Sequence, residues 1–269
     1  MKLNFFISAC FPLLCVASPF VGPIFDKTKS VEVVEKDSGI SSVDCIYVIN
    51  LDNRTERWKR VRKLFEERGI RVNRFSAVNG HAMSSEELDQ VTNHNPKGLK
   101  KGEIGVFLSH VSILQDAWEK GFETIWICED DVRFVEDLTR LEKLICHLRV
   151  LDPNWDVLFT DAESRSSEGV IITHDVLDLR PEERHTFDFR QLKKKHLTPL
   201  LDKVGRRYGA YSYLVSRRGI EKYLQYYQNR FIYSQYDHDM HYISGLRQYA
   251  PRKDYVTAIF GKESDTQSL

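Results

Sequence analysis

The sequence contains few cysteines, and none of them forms a metal-binding or disulfide-framework pattern. Five of 269 residues are cysteine, no CxxC pair occurs, and no histidine lies at a spacing typical of zinc sites. Cys10 and Cys15 lie in an apolar leader, which leaves Cys45, Cys128 and Cys146 inside or beside apolar runs. This arrangement favours buried free thiols over a disulfide framework.

Other common signatures are missing as well. Lys+Arg and Asp+Glu balance at 39 each, so net charge gives no indication of binding to nucleic acid or to an anionic membrane. The sequence has neither a Gly-rich Walker loop nor a DxDx[TV] nucleophile motif, which argues against a Mg²⁺-dependent phosphohydrolase. It also has no internal repeat and no low-complexity tract.

The N-terminus carries an apolar leader and a predicted linker. Residues 1–18 hold Lys2, an apolar stretch and small residues that fit cleavage after Ala17. The stretch is short for a membrane span, so we expect a signal peptide, with an uncleaved membrane-surface anchor as the alternative. The expected location is the secretory route or a membrane, with the cytoplasm as the alternative. Residues 19–42 contain prolines and a glycine and are predicted to be a linker before a domain at 43–269.

From residue 44 the sequence alternates between β-rich apolar runs and helical spacing. Strands are predicted at 44–51, 71–78, 124–128 and 155–161, and helices at 53–69, 84–91, 103–121 and 136–150. This β-α-β-α-β order predicts an α/β domain with a mostly parallel sheet and helices on both faces.

Three consecutive acidic residues follow the third predicted strand. In ETIWICEDDVRF, an apolar run without alternation delivers Glu129, Asp130 and Asp131 to the carboxyl end of a buried strand, where open α/β sheets bind ligands. Carboxylates this close repel one another, and Mg²⁺ or Mn²⁺ with an anionic ligand would neutralise them. The alternative is that they cap the following segment or pair with Arg133.

Other polar residues are weaker candidates, each with a structural alternative. Asn50, Arg54 and Arg57 follow the first strand, where donors and arginines hold phosphate or a base, but they also suit a capped helix with solvated charges. His110, on the long predicted helix, is interpreted as a packed core histidine. The run 191–196, QLKKKH, either receives phosphates or is a solvated charged loop.

The segment QYDHDMHY contains a denser polar group. If it is helical, Asp237 and His241 share a face at i, i+4, a spacing suited to metal binding or acid–base chemistry. The alternative is a set of surface polar residues.

Taken together, these stretches resemble glycosyltransferase family 25, the lipooligosaccharide and procollagen galactosyltransferases. The similarity runs in family order from about residue 44 to 242, in the motifs IYVINLDNRTERW, RFSAVNG, KKGEIGVFLSH, WICEDDV, WDVLF and YGAYSYLVSRRGIEKYL. The most specific part is GEIGVFLSH followed by EDD about twenty residues later.

The resemblance implies a GT-A-like glycosyltransferase domain at 43–269. It further implies a UDP-sugar donor, usually UDP-galactose, a glycan or glycoconjugate acceptor, Mn²⁺ (or Mg²⁺) and an inverting displacement. The acidic triplet then acts as the DxD motif. Asp131, with Glu129 or Asp130 assisting, is expected to hold the metal, and Asn50, Arg54, Arg57, Glu129 and Asp130 are expected to contact the donor. Glu129 stands where a strict DxD has its first aspartate, which leaves open which acid touches ribose and which touches metal.

An inverting transfer also needs a carboxylate base outside the metal cluster. Asp161, after WDVLFT, and Asp237 qualify by position, and Asp237 is favoured because its segment resembles a later Asp motif of the family. Asp239 and His241 are expected to orient this base or to complete the metal shell. A catalytically silent glycan- or protein-binding module on the same fold is the alternative function.

Overall fold

The computed structural model describes residues 19–31, 37–163 and 179–259. The predicted signal peptide or anchor, residues 1–18, lies outside these ranges. Among the residues described, no helix is long and apolar enough to cross a membrane.

Up to residue 161 the helices and strands follow the predicted order, with one additional short strand at Val132–Phe134. The strands are β1 (Cys45–Asn50), β2 (Asn73–Ser76), β3 (Thr124–Glu129), β4 (Val132–Phe134), β5 (Val157–Phe159), β6 (Lys195–His196), β7 (Leu201–Val204), β8 (Ser212–Ser216), β9 (Gln248–Pro251) and β10 (Val256–Ala258). The α-helices are α1 (Thr55–Glu66), α2 (Ser85–Thr92), α3 (Lys101–Glu119), α4 (Leu138–Leu151), α5 (Arg217–Tyr227) and α6 (Tyr236–Asp239). Short 3₁₀ turns occur at Phe25–Lys27, Gly80–Ala82, Pro181–Glu183, Phe189–Leu192 and Met240–Tyr242.

Eight strands form one sheet in the order β2-β1-β3-β8-β5-β9-β7-β6, and β4 pairs with β10 separately. β1 is parallel to β2 and β3, and β5 is parallel to β9. β8 lies antiparallel between β3 and β5, and β7 lies antiparallel between β9 and β6. The strands β2, β1, β3, β5, β9 and β6 therefore run one way, and only β7 and β8 run the other way. This confirms the predicted α/β domain with a mostly parallel sheet.

Helices cover both faces of this sheet, as predicted for a GT-A-like domain. Alternate side chains of the central strands point to opposite sides, so Tyr47 and Ile127 join one apolar core while Val48 and Trp126 join the other. The first core packs against α3 and α5, and the second packs against α1 and α4. Because β1 and β3 are covered on both faces, their sequences are apolar throughout.

The segment 19–31 differs from its predicted role as a linker. Phe20, Ile24 and Phe25 are buried in the core that contains α3. The backbone N–H of Lys29 donates to Ser112 Oγ at 3.0 Å, and that of Val31 donates to Asp116 Oδ1 at 3.0 Å. This part of the predicted linker therefore belongs to the folded domain, because its apolar side chains cover the outer side of α3.

Candidate active site

The carboxyl ends of β1 and β3 lie side by side and open into a cleft. Ile49 of β1 is in register with Glu129 of β3, so the residues that follow the two strands meet at one edge of the sheet. The cleft holds about 680 Å³ of empty space, part of it open to solvent, and is lined by the ends of both strands, residues 77–81, the first half of α3 and the acidic turn 129–131. Its size and position fit a small-molecule site.

Asp130 is buried, and both of its carboxylate oxygens have partners. Asn50 Nδ2 donates to its Oδ2 at 2.6 Å, and Arg57 Nη1 lies 3.3 Å from its Oδ1. Arg60 Nη2 donates to its backbone carbonyl. Asn50 is itself held by Arg74, whose Nε donates to Asn50 Oδ1 at 2.9 Å. The negative charge of Asp130 is therefore already balanced by arginine, and not by Arg133.

Asp131 is in the opposite situation. Its Oδ1 is buried and has no hydrogen-bond partner among the described residues. Burial, together with the charges of Glu129 and Asp130, raises the pKa of Asp131 to about 7, although Arg57 and Arg60 act in the other direction. A carboxylate oxygen without a donor beside two other carboxylates is an acceptor that a cation would satisfy.

The carboxylates of the acidic turn suit a metal that is shared with a ligand. Within ranges 19–31, 37–163 and 179–259, no three His, Cys, Asp or Glu side chains form a site that could hold a metal ion alone. Mg²⁺ at nucleotide sites is commonly bound by one or two carboxylates plus substrate phosphates. Asp131, with its unpartnered oxygen, and the neighbouring Glu129 therefore fit a hard divalent cation held jointly with a diphosphate.

Asp239 and His241 do not join this turn, which corrects their predicted place in the metal shell. Asp239 is buried against Arg180 Nη2 at 3.2 Å, and burial raises the pKa of Asp239 despite that arginine. His241 Nδ1 lies 2.8 Å from Gln248 Oε1, and its Nε2 lies 2.9 Å from the Arg207 carbonyl. The helix α6 ends at Asp239, so the i, i+4 face on which the prediction depended is absent.

The two candidate bases have different surroundings. Asp161 is fully buried, with Arg207 Nη2 at 2.7 Å from Oδ1 and the Tyr211 hydroxyl donating to Oδ2. Its carboxylate is thus committed to the core and does not line the cleft. Asp237 keeps 18% of its side chain exposed, and its Oδ2 accepts from the backbone N–H of Gly209 at 2.9 Å. Asp237 also does not line the cleft, but its charge acts on His110, which does.

Of the residues predicted to bind phosphate, some line the cleft and others do not. Arg57 lines the cleft, whereas Arg54 precedes α1, and its carbonyl accepts from Asn50 Nδ2 at 3.1 Å. The run 191–196 does not line the cleft, and Lys194 Nζ lies 2.8 Å from Glu163 Oε1. This run is therefore a charged surface segment in the described structure.

Two residues in or beside the cleft carried no functional prediction. Arg60 lies outside the cleft lining, one helical turn after Arg57, and its guanidinium donates to the Asp130 carbonyl. Gly80 contacts the start of α3 so closely that a Cβ there would lie 1.7 Å from the Lys101 carbonyl oxygen. This contact brings the 77–81 loop against α3, and a glycine after Asn79 is the only sequence signal for it.

Comparison with known proteins assigns the domain to a family. The family model "Glycosyltransferase family 25 (LPS biosynthesis protein)" matches residues 43–240. A "Glycosyltransferase 25 family member" of Drosophila melanogaster is 35% identical over 123 residues, which are 42% of this chain and 20% of that protein. "Procollagen galactosyltransferase 2" of Homo sapiens is 29% identical over 147 residues, which are 51% of this chain and 24% of that protein.

A third relative carries a different description. "Probable inactive glycosyltransferase 25 family member 3" of Rattus norvegicus is 29% identical over 148 residues, which are 51% of this chain and 26% of that protein. The similarity thus spans a quarter or less of the first two relatives and 26% of this one. The family match itself extends over most of the chain, from the start of β1 to the end of α6. The chain belongs to glycosyltransferase family 25.

Proposed function

We propose that this chain is a metal-dependent hexosyltransferase. It moves a hexose, galactose in the first instance, from a UDP-sugar to a hydroxyl group of a glycan or glycoconjugate, with inversion at the anomeric carbon. The observation that carries the proposal is the buried Oδ1 of Asp131, which has no partner among the described residues and lies in an acidic turn of a cleft that Arg57 also lines. Family membership and the galactosyltransferase named among its relatives support the choice of reaction and sugar.

Different residues of the cleft bind the metal ion and the phosphates of the donor. Asp131, assisted by Glu129, holds Mn²⁺ or Mg²⁺, which when bound supplies positive charge that stabilises the departing diphosphate. Asp130 keeps the Asn50 amide and the Arg57 guanidinium fixed at the edge of the cleft. Arg57 is then available to a phosphate without a conformational search, which favours binding.

Asp237 is the proposed base. It deprotonates the acceptor hydroxyl, and the Gly209 N–H that donates to its Oδ2 holds the carboxylate in one orientation. Asp161 is the weaker candidate because Arg207 and Tyr211 already occupy both of its oxygens. A carboxylate engaged in that way would have to break two buried hydrogen bonds before it could accept a proton.

A panel of UDP-sugars tests this function. We expect UDP release with one hexose donor in the presence of Mn²⁺, and its loss with EDTA or in Asp131→Asn. Glu123→Gln is the matched control, because Glu123 is an exposed acid just before the opposite end of β3 and should leave the rate unchanged. Full activity of Asp131→Asn in EDTA would refute the proposed metal role.

The second candidate function is a binding module without turnover. The relative described as probably inactive favours it, since that protein shares 29% identity with this chain. The same panel separates the two candidates. A binding module would retain Mn²⁺–UDP or glycan in calorimetry but release no UDP from any donor.

The leader supports a proposal on location. We infer that residues 1–18 send the protein into the secretory route or hold it at a membrane, with cleavage after Ala17 in the first case. N-terminal sequencing of natively expressed protein should then begin at Ser18. An intact Met1 in a soluble cytosolic fraction would contradict export.

A further inference from the structure

His110 of α3 reaches from the core to the wall of the cleft. It is fully buried, lies parallel to the Tyr236 ring with centroids 4.3 Å apart, and its Nδ1 is 2.8 Å from the Tyr213 hydroxyl. The Tyr213 and Tyr236 hydroxyls are 2.9 Å apart. The three side chains form a hydrogen-bonded series, Tyr236–Tyr213–His110, that ends at the cleft.

The protons of this series can be arranged in two ways, and each way leaves one buried donor without an acceptor among the residues described. If Nδ1 carries the hydrogen, it donates to Tyr213, Tyr213 donates to Tyr236, and the Tyr236 proton has no acceptor in the described part of the chain. If Tyr236 donates to Tyr213 and Tyr213 donates to Nδ1, both hydroxyl protons are used. The donor left over is then the Nε2–H of His110 and not the Tyr236 hydroxyl. The second arrangement is favoured because it turns this N–H, and not the Nε2 lone pair, towards the Glu129 carboxylate 3.9 Å away. It places the imidazole hydrogen on Nε2.

The Nε2 atom faces an acid of the cleft. It is buried, has no hydrogen-bond partner among the residues described, and lies 3.9 Å from Glu129 Oε1. That separation is about 1 Å too long for a hydrogen bond. Glu129 retains 34% exposure of its side chain and so has room to move. The ring is fully buried, which favours its neutral form, so it offers a donor without adding charge.

We propose that His110 is a positioning residue for Glu129. Its Nε2–H holds the Glu129 carboxylate when this side chain turns towards a metal–nucleotide ligand, and the Tyr213 hydroxyl, by donating to Nδ1, keeps the imidazole hydrogen on Nε2. The inference rests on the proposed function, because it assigns Glu129 to the donor site. It explains why a buried polar series ends beside the acidic turn.

The tautomer can be measured without any activity. Long-range ¹H–¹⁵N spectra of protein labelled in its nine histidines distinguish Nε2–H from Nδ1–H rings, and the signal missing in His110→Gln identifies His110. We expect the neutral Nε2–H form in Tyr223→Phe as well as in the parent protein. Tyr223 lies in the same core, but its hydroxyl has no hydrogen-bond partner among the residues described, so its loss should leave the His110 tautomer unchanged. A Nδ1–H ring in the parent protein would overturn the inference.

The positioning role is tested by calorimetric titration with UDP and Mn²⁺. His110→Leu removes the donor, and we expect its affinity to fall roughly tenfold to a hundredfold, the range for one hydrogen bond to a charged group. His110→Gln carries an amide N–H near the Nε2 position and should recover most of this loss. Equal losses in the two variants, or no loss in His110→Leu, would reject the role. Melting temperatures identify any variant that has not folded. Failure of the parent protein to bind UDP would refute the proposed function, but it would not change the result of the tautomer measurement.

Discussion

Replacement of Asp131 by asparagine should stabilise the metal-free protein. The Asp131 carboxylate has a buried oxygen without a donor and stands beside Glu129 and Asp130. Asparagine has nearly the same shape but no charge, so it removes the repulsion and leaves the packing of the turn in place. Replacing an acid that stabilises the fold would lower the free energy of unfolding, whereas replacing Asp131 should raise it.

The size of the gain follows from the pKa of Asp131. The gap between the ordinary value of 3.8 and the folded value of about 7 corresponds to about 4 kcal/mol, at roughly 1.4 kcal/mol for each pH unit. Asp131 is only partly buried, so solvent reduces this penalty, and we expect a gain of about 2 kcal/mol. In a domain of this size that corresponds to a rise of about 4 to 8 °C in Tm.

The gain must depend on pH in one direction. Because the pKa of Asp131 is raised in the folded state, the contribution of this one group to the stability of the parent protein becomes less favourable as pH rises from 3.8 to about 7. The variant Asp131→Asn has no titrating group at this position, so its stability lacks this pH-dependent contribution. The difference in unfolding free energy between the two proteins should therefore be full above pH 7, shrink as pH falls, and vanish below about 4.

Denaturant unfolding in EDTA at several pH values measures this difference. Asp130→Asn is the neighbouring control, because it removes a carboxylate that Asn50 and Arg57 already satisfy, and it should lower stability by about 1 to 3 kcal/mol. The reasoning is refuted if Asp131→Asn destabilises the metal-free protein as Asp130→Asn does, or if its effect does not change with pH.

Two further predictions concern the later acidic residues. Asp237→Asn should keep Mn²⁺–UDP affinity near normal and lower kcat by roughly 10² to 10⁴, as expected for the loss of a positioned base. Asp161→Asn should mainly lower Tm. A wild-type rate for Asp237→Asn would exclude Asp237 as the base. Asp239→Ala leaves Arg180 buried without its partner and should cost about 3 to 5 kcal/mol of stability while the folded protein binds Mn²⁺–UDP normally. Loss of Mn²⁺ binding by folded Asp239→Ala would instead return this residue to the metal shell.

Local sequence patterns predicted the elements that form the cleft. The unbroken apolar run TIWIC gives β3, and the Ser84–Glu87 capping box begins α2 as expected. The position of the acidic turn follows from the rule that ligands bind beyond the carboxyl ends of the strands. These features depend on residues that are close together in the sequence, so they could be predicted from the sequence alone.

Features that depend on distant pairing could not be predicted. Nothing in Ser212–Ser216 indicates that β8 lies antiparallel between β3 and β5, because strand order is decided by the packing of the whole sheet. The expected metal role of His241 required a helix that continues past Asp239, and the chain turns into a 3₁₀ turn there. The short polar pattern was compatible with both outcomes, and burial against Gln248 and Arg207 decided between them.

Direct measurement of Mn²⁺ binding tests the central claim, that the acidic turn holds a metal together with a diphosphate. Free Mn²⁺ is followed by electron paramagnetic resonance as it is titrated into the protein with and without UDP. We predict one bound Mn²⁺ per chain that requires UDP, is lost in Asp131→Asn and persists in Glu123→Gln. Tight Mn²⁺ binding that is independent of UDP, or binding that survives in Asp131→Asn, would contradict the account.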